Sequence, residues 1–360
     1  MAQTPLRIGF AGANAERGWA RDAHIPALQS LPGLVVHAMS ARTQAIADQA
    51  ACSFGAVRAY ADSLALARDP EVDIVAVTVK VPEHRTIVLA ALEAGKHVYC
   101  EWPLAQFTAE AEELAAAAHK CGTHVAIGLQ GANSRAVRHA ARLVREGAIG
   151  RPLHLRVVSA TAGWGAVAPP HYAYLQDRRN GATLATIAGG HTLAMISDVV
   201  GAIAQVSACN SILRREVAIA GTGEMVERTC ADHLLIHARH AGGCVSSIEI
   251  VSGDSTPLRF ELQGTEGKLE ITGGHPGGYQ CGALTVTGPP GSAPQPASDL
   301  SSLEGAAINV AELWRRFEQD IRTGSRTCAD FAMAVKLHRL LDAIELSSDE
   351  GRNVTLDDSA

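Results

Sequence analysis

The stretch LRIGFAGANAERGW, Leu6–Trp19, decides how the rest of the chain is read. An apolar run, LRIGFA, stops at Gly12, and a loop carrying a second glycine, Gly18, leads into the helix-like GWARDAHIPALQSL. A strand that ends in glycine and runs into a helix presents backbone amides and a helix N-terminus to an anionic group. The full dinucleotide fingerprint is G-x-G-x-x-G. Here Asn14 stands where the second glycine belongs, and the loop is one residue longer. Asparagine tolerates positive φ better than most residues, so the turn survives, while its side chain is expected to crowd the phosphate approach. An ordinary strand–helix turn is the competing interpretation. On the nucleotide interpretation Gly12, Asn14, Ala15 and Trp19 form the cofactor loop.

Working outward, strand-like and helix-like segments alternate. LVVHAMS is a strand and TQAIADQAACSFG a helix; DIVAVTV is a continuous apolar run, as expected of a strand covered on both faces. EHRTIVLAALEAG is a helix stopped by Gly95, HVYCE a strand, and Thr108 a candidate cap for a helix with Glu110 in its first turn. HVAIGLQ closes the series. Repeated units of this kind predict a doubly wound parallel sheet over residues 1–127.

Beyond it the rhythm changes. After the helix SRAVRHAARLVREG come PLHLRVVSATA, AQVSACNSIL, DHLLIHARH, CVSSIEIVSG, LRFELQGTEGKLEITG and ALTVTG, strands grouped without intervening helices. They predict an α+β domain with a largely antiparallel open sheet over residues 128–360. TGPPGSAPQPASDLSS reads as a mobile surface loop, and AELWRRFEQDIRTG and FAMAVKLHRLLDAIELSSDEG as closing helices that pack back on the first domain.

The bulk properties fit this plan. A chain of 360 residues is too long for one core. A hydrophobic content of 47%, a charged content of 19% and a net charge of −6 argue against disorder and against a phosphate-backbone binder. No apolar stretch reaches the ~18–20 residues of a membrane span, and the N-terminal residues do not read as a signal peptide, so a cytoplasmic protein is expected. Eight cysteines without a C-x-x-C pair suit free thiols, and 15 histidines without ligand spacing predict no metal site.

The second strand ends in HAMSART, with Ser40 and Arg42 where an acidic residue would bind both ribose hydroxyls and select NAD. These two side chains favour NADP by hydrogen bonding and by neutralising a 2′-phosphate, with NAD held by other contacts as the alternative.

The glycine loop, DIVAVTV, VPEH before a helix, AGKHVYCEWPLA and a later G-G-H on a helix together resemble the Gfo/Idh/MocA oxidoreductases over essentially the whole chain. Within that family, GLQG, NGATL, GHT and DHLL echo the fungal galactose-pathway repressor branch, whose members regulate by protein contact. The resemblance implies NADP or NAD across the strand ends, with Val79, His84, Glu101, Trp102 and Pro103 joining the loop residues. It also implies a carbohydrate-like substrate, a homodimer or homotetramer, and no nucleic acid or membrane partner; a protein partner belongs to the regulatory alternative. Family enzymes use the lysine of Glu-Lys-Pro with an Asp and a His on one later helix. Here Glu101 and Pro103 match, but the lysine is Trp102. The histidine is His191, and the aspartate position falls on Ile187, beside Thr186.

Indole cannot accept a proton, so Trp102 is expected to stack on a ligand or to pack at the domain interface. His191 is then the one matched group with a suitable intrinsic pKa. Lys80, near the end of the fourth strand, is either a substitute amine or a solvated surface lysine. Tyr174, with Tyr172 close by, is either a donor to a carbonyl oxygen or loop packing. His191, Tyr174 and Lys80 are the catalytic candidates.

Overall fold

Residues 4–356 are described by the structure, a computed structural model. The first third forms strands β1 (Leu6–Ala11), β2 (Leu34–Ser40), β3 (Arg58–Tyr60), β4 (Ile74–Val77), β5 (His97–Glu101) and β6 (Val125–Gly128). They pair in parallel in the order β3-β2-β1-β4-β5-β6. Strand order therefore reverses between β1 and β4, and that switch point is where a doubly wound sheet opens a crevice at its strand C-termini. All four residues of β4, IVAV, are buried, as a two-side-covered strand requires.

Local chemistry sets the intervening helices. Thr43 caps Gln44–Phe54 by accepting from Ile46 N–H, and Gly55 ends that helix in the left-handed conformation. Asp62 caps Ser63–Ala67 in the same way. Thr108 does not cap: it is the first residue of the helix Thr108–Cys121, and Phe107 holds the cap position. The Glu110 carboxylate reaches back to the Gln106 amide at 3.2 Å and ties the residue before the cap to the first turn.

The chain divides into two compact units. The first runs through Gln130 and also takes Asp299–Val335; the second comprises Gly131–Ser298 and the segment from Lys336 onward. The closing helix Ala307–Thr323 belongs to the first unit, where Trp314 and Phe317 join Phe10, Met39 and Tyr99 in the core. Trp314 stacks on Tyr99 with centroids 4.5 Å apart.

In the second unit β7 (Pro152–Thr161), β8 (Val167–Ala168), β9 (Ile203–Ser211), β10 (Glu216–Ile219), β11 (Met225–Glu227), β12 (His233–His240), β13 (Val245–Ser252), β14 (Leu258–Gly264), β15 (Lys268–Gly273), β16 (Leu284–Thr287) and β17 (Val354–Thr355) form two sheets. The larger is ordered β16-β15-β14-β7-β13-β12-β9-β17. Only the central β7–β13 pair is parallel; every other pair is antiparallel. Side chains alternate strictly on β12 and β13, so one face is buried and the other open. The segment between β16 and Ala307 has no regular structure, yet it is tied down: Arg135 donates to the Ala297 carbonyl, and His139 lies 3.1 Å from that of Ala293.

Candidate functional site

The first-unit candidates gather at the C-terminal edge of the parallel sheet. Gly12 has φ +96°, and a Cβ there would sit 2.6 Å from Val79 Cγ1 and 3.0 Å from Val79 N. The β1 loop and the β4 loop thus touch across the switch point, and only glycine fits between them. The amides of Gly12 and Ala13 both donate to the Ser40 carbonyl, at 3.1 and 2.8 Å. Asn14 turns its carboxamide back on its own loop, where Oδ1 accepts from the Glu16 and Arg17 amides at 2.8 and 3.2 Å. That Asx turn replaces the crowding expected of Asn14: the side chain is folded under the loop. The amides of Asn14 and Ala15 have no hydrogen-bond partner among the described residues, and they are the donors this loop retains for an anion. Trp19 is half-buried, with its indole Nε1 unpartnered.

Ser40 turns its side chain inward. It is fully buried, and its hydroxyl is engaged by Ser63 Oγ at 2.9 Å and the Phe10 carbonyl at 3.4 Å. The inward face of β2 claims it. Arg42 is exposed just beyond, and β2 itself, LVVHAMS, carries no acidic side chain. Lys80 is also exposed, in the turn after β4.

His84 likewise serves the protein's interior. It is 1% exposed, with Nδ1 at 3.0 Å from the Pro103 carbonyl and Nε2 at 3.1 Å from that of Val79. Burial holds its pKa below the ordinary value, against the pull of those carbonyls. The ring ties the loop after β4 to the cis Trp102–Pro103 loop after β5. Trp102 is 5% exposed, which leaves little indole surface to serve as an aromatic wall. Glu101, half-buried, receives a hydrogen bond from His24, a residue the sequence does not single out.

The second unit holds the remaining candidates. A π-helical turn, Ala185–Gly189, runs directly into the helix Gly190–Val200, with His191 at its second position. Such turns recur at functional sites because they re-aim the side chains that follow. His191 is 4% exposed, its Nδ1 is buried without a hydrogen-bond partner, and burial lowers its pKa to about 3. The imidazole is therefore neutral at pH 7 and carries a lone pair. The Tyr279 hydroxyl donates to the His191 main-chain carbonyl. Thr186 uses its hydroxyl on the Gly181 carbonyl, so it closes a turn and does not stand in for the missing aspartate.

Tyr174 lies in a short helical turn, Pro170–Gln176, and burial pushes its pKa up to about 12, leaving a donor that does not ionise near neutrality. That turn is anchored from below. Arg228, 1% exposed, donates to Gln176 Oε1 at 2.9 Å, Asp232 Oδ2 at 2.8 Å and the Gly165 carbonyl at 2.7 Å. Asp232 also accepts from the Leu213 and Arg214 amides. The buried pair is thus hydrogen-bonded throughout, as its desolvation demands.

Among the described residues no group of three or more His, Cys, Asp or Glu is arranged to hold a metal, and no helix is long and apolar enough to cross a membrane.

Residues 6–129 match the family described as "Oxidoreductase family, NAD-binding Rossmann fold", and residues 136–273 match "Gal80p, C-terminal domain". The galactose/lactose metabolism regulatory protein GAL80 of Kluyveromyces lactis is 27% identical over 302 residues, covering 75% of this chain and 64% of that protein. The chain therefore spans less than two thirds of that relative's length. The 1,5-anhydro-D-fructose reductase of Ensifer adhaerens is 30% identical over 264 residues, covering 73% and 74%. An NAD-binding oxidoreductase structure from Klebsiella pneumoniae superposes with a TM-score of 0.83 at 25% identity, over 99% of this chain and 100% of that one.

Proposed function

The chain belongs to the Gfo/Idh/MocA oxidoreductase family with its NAD-binding Rossmann domain, and from that premise we propose that it is an NAD(P)-dependent oxidoreductase acting on a sugar, polyol or related hydroxy compound. The observation that carries this is His191, a buried, neutral imidazole with an unpartnered nitrogen, on the helix where family enzymes keep their proton-handling histidine.

The residues fit the cofactor. Gly12 lets the β1 loop close against Val79 at the strand ends, and the Asn14 and Ala15 amides have no other partner among the described residues. The group would supply a hydride acceptor at the nicotinamide ring. The protein must then take the hydroxyl proton of the carbinol. An imidazole whose pKa is about 3 is a weak base, but a carbinol losing hydride becomes a protonated carbonyl, a far stronger acid. A weak base suffices if proton and hydride leave together. Trp102 cannot contribute a lone pair, and Tyr174 stays protonated. Exposed Arg42 favours NADP by meeting its 2′-phosphate.

The test is reduction of NADP+ and NAD+ followed at 340 nm over a panel of sugars and polyols. His191→Ala should lower kcat by about 100-fold or more, the usual range for a general base. No turnover with any compound, while nucleotide still binds, would overturn the enzyme reading.

That outcome would favour a second reading, a nucleotide-binding regulator. It draws on buried Trp102 in the lysine position and on the match of residues 136–273. Its requirement is a protein partner whose affinity changes when nucleotide binds.

Self-association is proposed through the open face of the larger second-unit sheet. Leu235 and Val245 stand 42% and 41% exposed there among His237, Arg239, Ser247 and Glu249, a mixed surface that a second copy would cover. Light scattering would read a dimer or tetramer, and Leu235→Lys should shift it toward monomer.

A further inference from the structure

His24, Glu101 and Trp314 come from the segment after the glycine loop, the end of β5 and the closing helix, all within the first unit. Trp314 and His24 are completely buried, whereas the Glu101 side chain keeps 14% exposure. The Trp314 indole N–H donates to His24 Nδ1 at 2.8 Å. Indole is a donor only, so Nδ1 must carry the lone pair and the neutral ring must bear its proton on Nε2. That Nε2–H faces Glu101 Oε1 at 2.9 Å. Donor and acceptor roles are thus set from the tryptophan end. Phe10, Tyr99 and Trp314 pack edge-on around the imidazole and hold its plane.

The relay occupies Oε1. Oε2 rests over Gly128, where a Cβ would come within 2.7 Å of it, so the end of β6 is kept bare to admit the carboxylate. Tyr99 lies beside the same group, and burial together with the Glu101 charge pushes its pKa well above the ordinary value, so it remains a phenol. Two fully buried side chains are therefore committed to aiming one partly exposed carboxylate at the strand C-termini. A carboxylate so held is an acceptor for hydroxyl groups.

We propose that His24 and Trp314 are positioning residues that fix the Glu101 carboxylate to receive a ligand hydroxyl. This rests on the nucleotide- and sugar-binding reading above. The hydroxyl belongs either to a nucleotide ribose or to the sugar, and the two are separable by experiment.

Calorimetry with NADPH and NADH reads the ribose arm. Titration of 1,5-anhydro-D-fructose into nucleotide-loaded protein reads the sugar arm. Glu101→Gln and His24→Ala should each weaken one arm by about 10-fold, the worth of one charge-assisted hydrogen bond. His24→Gln should restore binding, since its amide offers oxygen to the indole and N–H to the carboxylate. Trp314→Phe should weaken the same arm with His24 intact. The double variant Glu101→Gln/His24→Ala should bind no worse than Glu101→Gln alone, because coupled residues are not additive. Thermal melts on each variant check the fold. Additive losses, failure of His24→Gln to rescue, or wild-type affinity in His24→Ala would overturn the relay. Wild-type affinity of Glu101→Gln in both arms would overturn the carboxylate's role. Wild-type protein that binds neither nucleotide would remove the underlying reading before any variant is made.

Discussion

Holding His191 neutral has a thermodynamic consequence that can be measured without substrate. Its pKa is about 3 in the folded protein against 6.5 for an ordinary histidine, because burial disfavours the cation. Between those values the unfolded chain binds a proton that the folded one does not. Stability from this group is therefore complete above pH 6.5 and is lost as pH falls toward 3. Each pH unit inside the window is worth about 1.4 kcal/mol, so lowering pH from 7.5 to 4.5 should cost about 3 kcal/mol through His191 alone. His97 and His338, both lowered to about 4 by burial, add acid sensitivity of the same sign. The perturbation that isolates His191 is therefore His191→Asn, which removes one titration and leaves the others. Urea denaturation of both proteins at half-unit pH steps gives the difference in stability. That difference should shrink by about 3 kcal/mol in the variant's favour between pH 7.5 and 4.5. A flat difference would refute the reasoning, because it would mean the folded imidazole takes up a proton as readily as the unfolded one.

Further outcomes follow from the same geometry. Gly12→Ala should lose nucleotide binding and at least ~1–2 kcal/mol of stability, since φ +96° and a 2.6 Å approach to Val79 both oppose a Cβ; calorimetry and melting read the two effects. Arg228→Met should cost about 2–3 kcal/mol, since it removes the buried charge-assisted bonds while Asp232 keeps Arg214 at 3.6 Å and two amides, and a loss under ~1 kcal/mol in urea titration would contradict the network described. Arg42→Ala should weaken NADPH about 10-fold while leaving NADH within about twofold, by competitive titration.

Much of the fold was legible in the chain. Alternating segments predict the parallel sheet because a buried strand has to be apolar on both faces, as Ile74–Val77 is. Thr43 and Gly55 mark their helix ends through local hydrogen bonding that needs no distant partner. Thr108 misled because the helix begins one residue earlier than a Thr108 cap requires, and the Glu110 and Ala111 amides donate to the Phe107 carbonyl. At the candidate site, motif spacing singled out Gly12 and His191. The internal hydrogen bonds of Ser40 and His84 had no such signal, because a polar side chain at a strand end looks the same whether it faces solvent or a neighbouring carbonyl.

The sequence by itself determined the two-part architecture, the nucleotide-type loop and the loss of the lysine at Trp102. The first two follow from periodicity and residue chemistry, which act within a few neighbours along the chain; the third follows from the family resemblance. Only the tertiary structure decided what each polar group does. His24 meets Glu101 across 77 residues and Trp314 across 290, and a hydrogen bond over such a separation leaves no local pattern to read. The same holds for burial, which depresses the pKa of His191 through packing contributed by the whole unit around it.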